Sequence, residues 1–345
     1  MAKYRTTRNP DGTYTTEEID DSGSGGFELI GLIFYGIYQV AVWIWEHKGL
    51  RNTIIGLLIA FGVYAAISGA VNSNHYSKIE NASEFTLLSD GTYEISEITY
   101  RNYIKADVVI PSEHNGIAIT RIGASFFEDF DHITSVSIPA SVTEIGDGAF
   151  KNCKALTSIT IPLSVTKIGN NAFEGCESLT NITLPVSVKS IGDYAFTECD
   201  ALKSIVIPDS VVSMGEGVFY LCDGLEQVTL SKSLSTISKR CFSFCKSLTS
   251  IEIPKSVKTI GDDAFAFCEG LVSINIPSSV TKIGAHAFCH AKYLTTINYS
   301  GTKAQWEAVD KFVGYDSIEG ILNWNYRLGA SAGGYTVKCT DGTTE

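Results

Sequence analysis

The stretch CKALTSITIPLSVTKIGNNAF, Cys153 to Phe173, returns 23 residues later as CESLTNITLPVSVKSIGDYAF, Cys176 to Phe196. Outward from this pair, Pro139, Pro162, Pro185, Pro208, Pro254 and Pro277 fall on one 23-residue grid, with Ser231 in the one place without proline. In that register one column is Val142, Val165, Val188, Val211, Leu234, Val257 and Val280. A second is Ile145, Ile168, Ile191, Met214, Ile237, Ile260 and Ile283. Glycine follows each member of the second column except Ile237, which Ser238 follows, and a phenylalanine column runs from Phe150 to Phe288. A looser copy uses Pro111, Ile122, Gly123, Phe127, Ile133 and Ile138, with about five extra residues near EHNG, Glu113–Gly116. The period lies in the range of solenoids, and eight copies are present.

A 23-residue turn cannot bury Val, Ile, Phe and Leu alone. Stacking turns at strand spacing, about 4.8 Å, lets each apolar place cover its counterpart in the next turn. L-x-x-I-x-I, as in Leu156, Ile159 and Ile161, alternates like a short strand, and eight such strands make a parallel sheet. Ala172, Phe173 and Cys176 have the spacing of one inward-facing helical turn. The recurrent glycine is expected to supply a left-handed bend between the halves of each unit. These features predict an α/β repeat solenoid of parallel short strands over residues 85–299, with a C-terminal cap over 300–345.

The unit I-P-x-x-V-x-x-I-G-x-x-A-F-x-x-C-x-x-L resembles leucine-rich repeats of the bacterial surface-antigen (BspA-like) subgroup, over about residues 85–345. GTKAQWEAV, Gly301–Val309, is similar to that family's closing segment, and YTVKCTDGT, Tyr335–Thr343, to its terminal hairpin. Thr302 with Gln305 also forms a capping-box pattern, which predicts a short helix with Trp306 on its inner face. The fifth full copy departs, with Ser231, Ser238 and Cys241 for Pro, Gly and Ala, so its coil is expected to loosen. The resemblance implies adhesion to host matrix or plasma proteins and contact with other cells.

Upstream, residues 1–26 are polar and read as a flexible tail, and 72–84 as a linker. Phe27–Trp45 and Thr53–Val71 are each 19 residues, and Glu28 is their only charge. As helices they would be about 28 Å long, matching a bilayer core of roughly 30 Å. They predict a transmembrane helical hairpin over 27–71, closed by the loop 46–52, that engages the lipid bilayer. A single span or a cleaved signal are the other readings. Lys48 and Arg51 in the loop place it in the cytoplasm and the solenoid outside, at the cell membrane.

Acids exceed bases 38 to 26, a net charge of −12, so phosphate neutralisation is poorly served and nucleic acid is not an expected partner. No phosphate loop, nucleophile elbow or H-E-x-x-H pattern occurs, and the acids are scattered. The chain therefore reads as a non-enzyme with no cofactor and no small-molecule substrate. His286, Cys289 and His290 have two ligands at helical i, i+4 spacing but no fourth, so no metal site is assigned. Cys153, Cys176, Cys199, Cys222, Cys245 and Cys268 form one column and read as reduced, packed thiols.

Two surfaces are candidates for binding an extracellular protein or glycan. The sheet face carries hydroxyls and amides, among them Asn181, Thr183, Gln227, Thr229, Glu252, Asn275 and Asn298. The second is a stripe two places after each Phe: Asn152, Gly175 and Glu198, then Leu221, Phe244 and Phe267, then His290, with Tyr220 beside it. Either this stripe meets a partner, or the chain's own segment Phe312–Trp324 covers it. The expected function is a membrane-anchored, surface-exposed binding module for adhesion, the alternative being a scaffold subunit that organises a membrane complex through the hairpin.

Overall fold

The computed structural model describes residues 4–8, 14–18, 76–79, 82–99, 104–311 and 336–344. The chain divides into two units, Met1–Asn74 and His75–Glu345. Residues 27–71, read as a membrane hairpin, lie outside the described residues, as does Phe312–Trp324. Among the described residues no helix is long and apolar enough to cross a membrane.

In the first unit the sequence predicts only a tail, yet Tyr4–Arg8 and Tyr14–Glu18 pair antiparallel, Tyr4 opposite Glu18 and Arg8 opposite Tyr14. The missed signal was Asn9-Pro10-Asp11-Gly12, turn chemistry set between two runs of Thr and Tyr.

The second unit is a solenoid whose coils pair in parallel along two sheets. One carries the anticipated strands, with Ser135–Ser137, Ser158–Thr160 and Asn181–Thr183 side by side. The register Ser158↔Asn181 advances by 181 − 158 = 23 residues, one repeat. The other sheet begins with longer strands, among them Ile117–Ile122, and continues through the full copies as strands of two residues, Glu144–Ile145, Lys167–Ile168, Ser190–Ile191 and Ser213–Met214. Two residues are too short for an alternation to register, which is why the sequence did not reveal them.

The extra residues of the first copy form a hairpin, Glu113–His114 against Ile117–Ala118. Asn115 and Gly116 at its turn have φ of +52° and +76°, as an Asn-Gly turn requires. The insertion accounts for the register Asp107↔Ser135, where 135 − 107 = 28 is one repeat plus five.

The strand pairing starts before residue 85, and the linker assignment of 72–84 is corrected for the described residues 76–79 and 82–84. Tyr76–Lys78 pairs with Ile104–Val109, Ser83–Leu87 pairs with Tyr93–Ile98, and Ile79 and Ala82 are buried. These residues close the end of the core that would otherwise face water. At the opposite end the helix Lys303–Glu307 has the anticipated capping box. Thr302 Oγ1 accepts from the Gln305 amide, Gln305 Oε1 accepts from the Thr302 amide, and Trp306 is buried. Thr336–Cys339 extends the first sheet beside Thr296–Tyr299 and turns back on Gly342–Thr344.

Between the sheets each coil runs through tight turns with no α-helix, so the α component of the expected α/β class reduces, among the described residues, to that terminal helix. Ala172, Phe173 and Cys176 do face inward and are fully buried. The turns reach that result through left-handed residues. Ser125, Gly148, Asn171, Tyr194, Gly217, Arg240, Asp263 and His286 form one column with φ between +54° and +62°.

The recurrent glycine is not among them, which corrects the role expected for it. Gly146 sends its amide to the Ile122 carbonyl of the coil before at 2.8 Å, and a Cβ at Gly146 would lie 2.6 Å from that oxygen. At Gly192 a Cβ would lie 2.5 Å from the Asn170 amide nitrogen. Glycine is required here for close approach of coil to coil.

Buried phenylalanines stack through eight coils, Phe127 to Phe288, for example Phe150 on Phe173 at 5.2 Å and 4° and Phe173 on Phe196 at 5.4 Å and 2°. Beside them each column thiol donates to a phenylalanine carbonyl one coil back: Cys176 Sγ to Phe150 O at 3.2 Å, Cys222 Sγ to Phe196 O at 3.0 Å. A thiol must keep its proton to make that bond. Burial pushes Cys153 and Cys222 up to about 12 and raises the rest of the column as well.

Pairing lapses between Asn181–Thr183 and Ser204–Val206, and again at the fifth copy. Gln227–Thr229 has no partner on its C-terminal side, and Ser213–Met214 does not pair with Thr236–Ile237. Side chains compensate. The Ser231 hydroxyl, fully buried, donates to Val211 O at 2.7 Å, and Ser238 Oγ donates to Met214 O at 2.5 Å.

Two outcomes test this packing. Gly192→Ala is expected to cost about 2–3 kcal/mol by urea unfolding, because backbone must shift. Gly148→Ala, whose Cβ would meet nothing closer than Ser125 Oγ at 3.3 Å, should lose only about 1 kcal/mol from its φ of +62°. The raised thiols favour the protonated form in the fold, so their stabilisation is complete below the ordinary thiol value near 9 and declines toward about 12. Midpoints of urea unfolding measured from pH 7 to 11 should hold to about pH 9 and then fall.

Candidate protein-binding surface

Each coil has a second left-handed column, two residues after the buried phenylalanine: Asp129, Asn152, Gly175, Glu198, Leu221, Phe244, Phe267 and His290, with φ between +55° and +69°. Left-handed backbone costs an ordinary L-residue about 1 kcal/mol or more, because Cβ crowds the carbonyl; Gly is free of this and Asn and Asp offset it by local hydrogen bonds. The early coils comply with Asp, Asn and Gly. Glu198, Leu221, Phe244, Phe267 and His290 do not, although the backbone makes the same demand on them.

The rings among these side chains lean on one another. Phe244 stacks on Phe267 at 4.2 Å and 6°, and Phe267 on the His290 ring at 4.5 Å and 23°. Tyr220 meets Phe244 edge to face at 5.8 Å, and Tyr194 meets Tyr220 edge to face at 6.3 Å. The result is a ladder of five aromatic rings along the solenoid axis. Tyr220, Leu221, Phe244 and Phe267 are half-buried and His290 is exposed, so mutual stacking leaves the stripe less open than full exposure would. Phe267 has a ring on each face, so its outward side is its edge.

Sequence reasoning placed Tyr220, Leu221, Phe244, Phe267 and His290 along this stripe but missed Tyr194 at the other end. Tyr194 belongs to the other left-handed column, and His290 was considered for metal. The helical face that would align His286 and His290 does not exist, since both have positive φ, +56° and +55°. His290 closes the ladder.

The flanks are polar. The Tyr194 hydroxyl donates to Glu216 Oε1 at 2.8 Å, and burial with that bond raises its pKa. Lys239 and Arg240 lie 3.5 Å from the same carboxylate, and Arg240 also faces Asp263 at 3.8 Å. On the opposite flank Lys246 pairs with Asp223 at 2.7 Å.

On the sheet face Asn181, Thr183, Gln227, Thr229, Glu252 and Asn275 are exposed, and Asn298 is half-buried with its amide donating to Asn275 Oδ1 at 2.9 Å. Val206 on this face is 62 % exposed, and sequence reasoning missed further exposed apolar side chains, Leu163 (75 %), Val186 (72 %) and Val212 (59 %). Leu163 and Val186 follow successive grid prolines, a column whose other members are polar or small.

Repeats of this geometry define a leucine-rich solenoid, and comparison with known proteins specifies the kind. The BspA type Leucine rich repeat region, in six copies, matches residues 70–200, 120–234 and 189–308. The chain belongs to this BspA-type leucine-rich repeat family. A leucine-rich repeat protein of Bacteroides ovatus is similar at 33% identity, with 64% of each chain covered and a TM-score of 0.54. The chain thus spans 64% of that protein's length. The T. pallidum leucine-rich repeat protein is 28% identical, over 55% of this chain and 88% of the other, with a TM-score of 0.52. No protein of curated function matches.

Replacing Phe244 and Phe267 together by Asn relieves left-handed strain at two positions and removes three ring pairs, Tyr220–Phe244, Phe244–Phe267 and Phe267–His290, terms of similar size, about 2–4 and 1.5–4.5 kcal/mol. Urea unfolding of F244N/F267N should therefore stay within about 1 kcal/mol of the parent, whereas Phe196→Ala in the buried stack should lose about 3–5 kcal/mol.

Proposed function

We propose that the solenoid is a protein-binding module whose principal contact surface is the aromatic ladder from Tyr194 to His290. It is displayed on a bacterial cell and held at the membrane by residues 27–71, where it serves adhesion. The observation that carries this reading is the left-handed column itself. Leu221, Phe244 and Phe267 occupy places where Asn152 and Gly175 show the cheaper solution, so large apolar side chains stand there at the expense of backbone strain. Stacked apolar side chains on an outer edge are the kind of patch that partners bury.

The ladder favours a protein over a glycan. Sugars pack on aromatic faces, and here the face of Phe267 is taken by Phe244 and His290. Ring edges and the Leu221 side chain instead suit insertion among apolar side chains. The sheet face from Asn181 to Asn298 acts as a hydrophilic border, and the family's leucine-rich repeats supply the rigid frame.

Full-length protein and its F244N/F267N form, each presented to an array of extracellular proteins, test the assignment. Partners retained by the parent should be lost by the ladder variant and kept by T229K/N275K on the sheet face. Loss through the sheet variant alone would move the site to that face. Protease added to intact cells should cleave the solenoid; resistance there would favour the scaffold reading.

A further inference from the structure

Every coil that contributes to the ladder also contributes charge, and the charges do not balance. Glu198 stands in the ladder column itself, one coil before Leu221. Asp200 and Glu269 lie on the flank formed by the residues two places on, where Lys246 and Glu269 turn back so tightly that their amides donate to the Phe244 and Phe267 carbonyls at 2.9 Å. Glu198, Asp200 and Glu269 make no ion pair among the described residues, whereas Lys239, Arg240 and Lys246 are each held by a carboxylate. Lys292 lies over the Tyr293 ring, 4.9 Å from its centre, at the far end of the stripe. An apolar ridge is thus bordered by carboxylates without close ion pairs while its nearby cations are engaged.

Resting on the proposed function, we infer that the ladder receives a basic amphipathic helix laid along the solenoid axis. Charge complementarity sets the sign, because Lys or Arg beside the partner's apolar stripe would meet Glu198, Asp200 and Glu269. Spacing sets the form. Coils advance by about 4.8 Å and a helix repeats its apolar stripe every ~5.4 Å, so successive turns of a helix fall on successive rungs with little drift across the ladder. An extended strand places same-face side chains roughly 6.6–6.8 Å apart and loses that match within a few coils. The chain's net charge of −12 adds long-range attraction for the same partner.

The test uses the full chain and synthetic amphipathic helices of about 14 residues, roughly 21 Å long, with Leu on one stripe. One carries Lys on its flanks, one carries Glu, and one is a scrambled Lys peptide that cannot form a stripe. The Lys helix should bind, the Glu and scrambled peptides should not, and F244N/F267N should weaken binding about thirtyfold or more. The triple variant Glu198→Gln, Asp200→Asn and Glu269→Gln should weaken it about tenfold and flatten its salt dependence, with the ladder intact. Equal binding of the Glu helix, or binding unaffected by F244N/F267N, overturns the inference. Capture of the Glu helix alone, abolished by F244N/F267N, overturns the basic partner but leaves the ladder as a protein-binding surface. A photoreactive benzoyl group at position 267 that crosslinks only within its own chain, or only to a second copy, overturns the helix as occupant; the former also removes the proposed function.

Discussion

The structure depends on coils of equal length stacking at strand spacing, so that each side chain lies on its own counterpart one repeat away. Backbone pairing in the two sheets holds the spacing, and the turns add further bonds, such as the Phe150 amide to Ala172 O at 2.8 Å. Once the spacing is set, a residue type that packs well in one coil packs well in all. Phenylalanines then become a stack, thiols a row of donors to phenylalanine carbonyls, and glycine the residue that lets one backbone lie against the next. One coil alone has nothing to bury its apolar side against, so the ends need covers. Residues 76–79 and 82–98 provide one, and Trp306 with the final hairpin provides the other.

The same constraint explains how the fifth copy survives its substitutions. Ser231 and Ser238 reach the carbonyls Val211 O and Met214 O with hydroxyls, so acceptors next to the interrupted strands remain satisfied. The helix-like core contact of Phe242 is kept, and the phenylalanine stack runs through the copy unbroken at 5.5 and 5.4 Å. Continuity of the core therefore does not need continuity of the sheets.

Stacking also turns variation into surface design. A place that points outward recurs at every coil, and the residues written there form a line on the surface. Polar entries in the early coils leave the left-handed column featureless. Aromatic entries in the later coils make a ridge, and their cost in backbone strain separates them from apolar residues that are merely tolerated.

The fold was legible from spacing, because a 23-residue period in Val, Ile, Gly and Phe can be met only by coils that repeat in space. Glu113–Gly116 as the site of the insertion, and Thr302 with Gln305 as a cap, were legible because turn and cap chemistry are local. Function was legible only as candidate columns. Which glycines approach backbone, which residues turn left-handed, and which rings stack or expose an edge are set by atoms 23 residues distant in the chain and one coil away in space. Those distances exist only after the coils have stacked, so tertiary structure alone decided that Tyr194 and His290, from different columns, complete one ladder with Tyr220, Phe244 and Phe267.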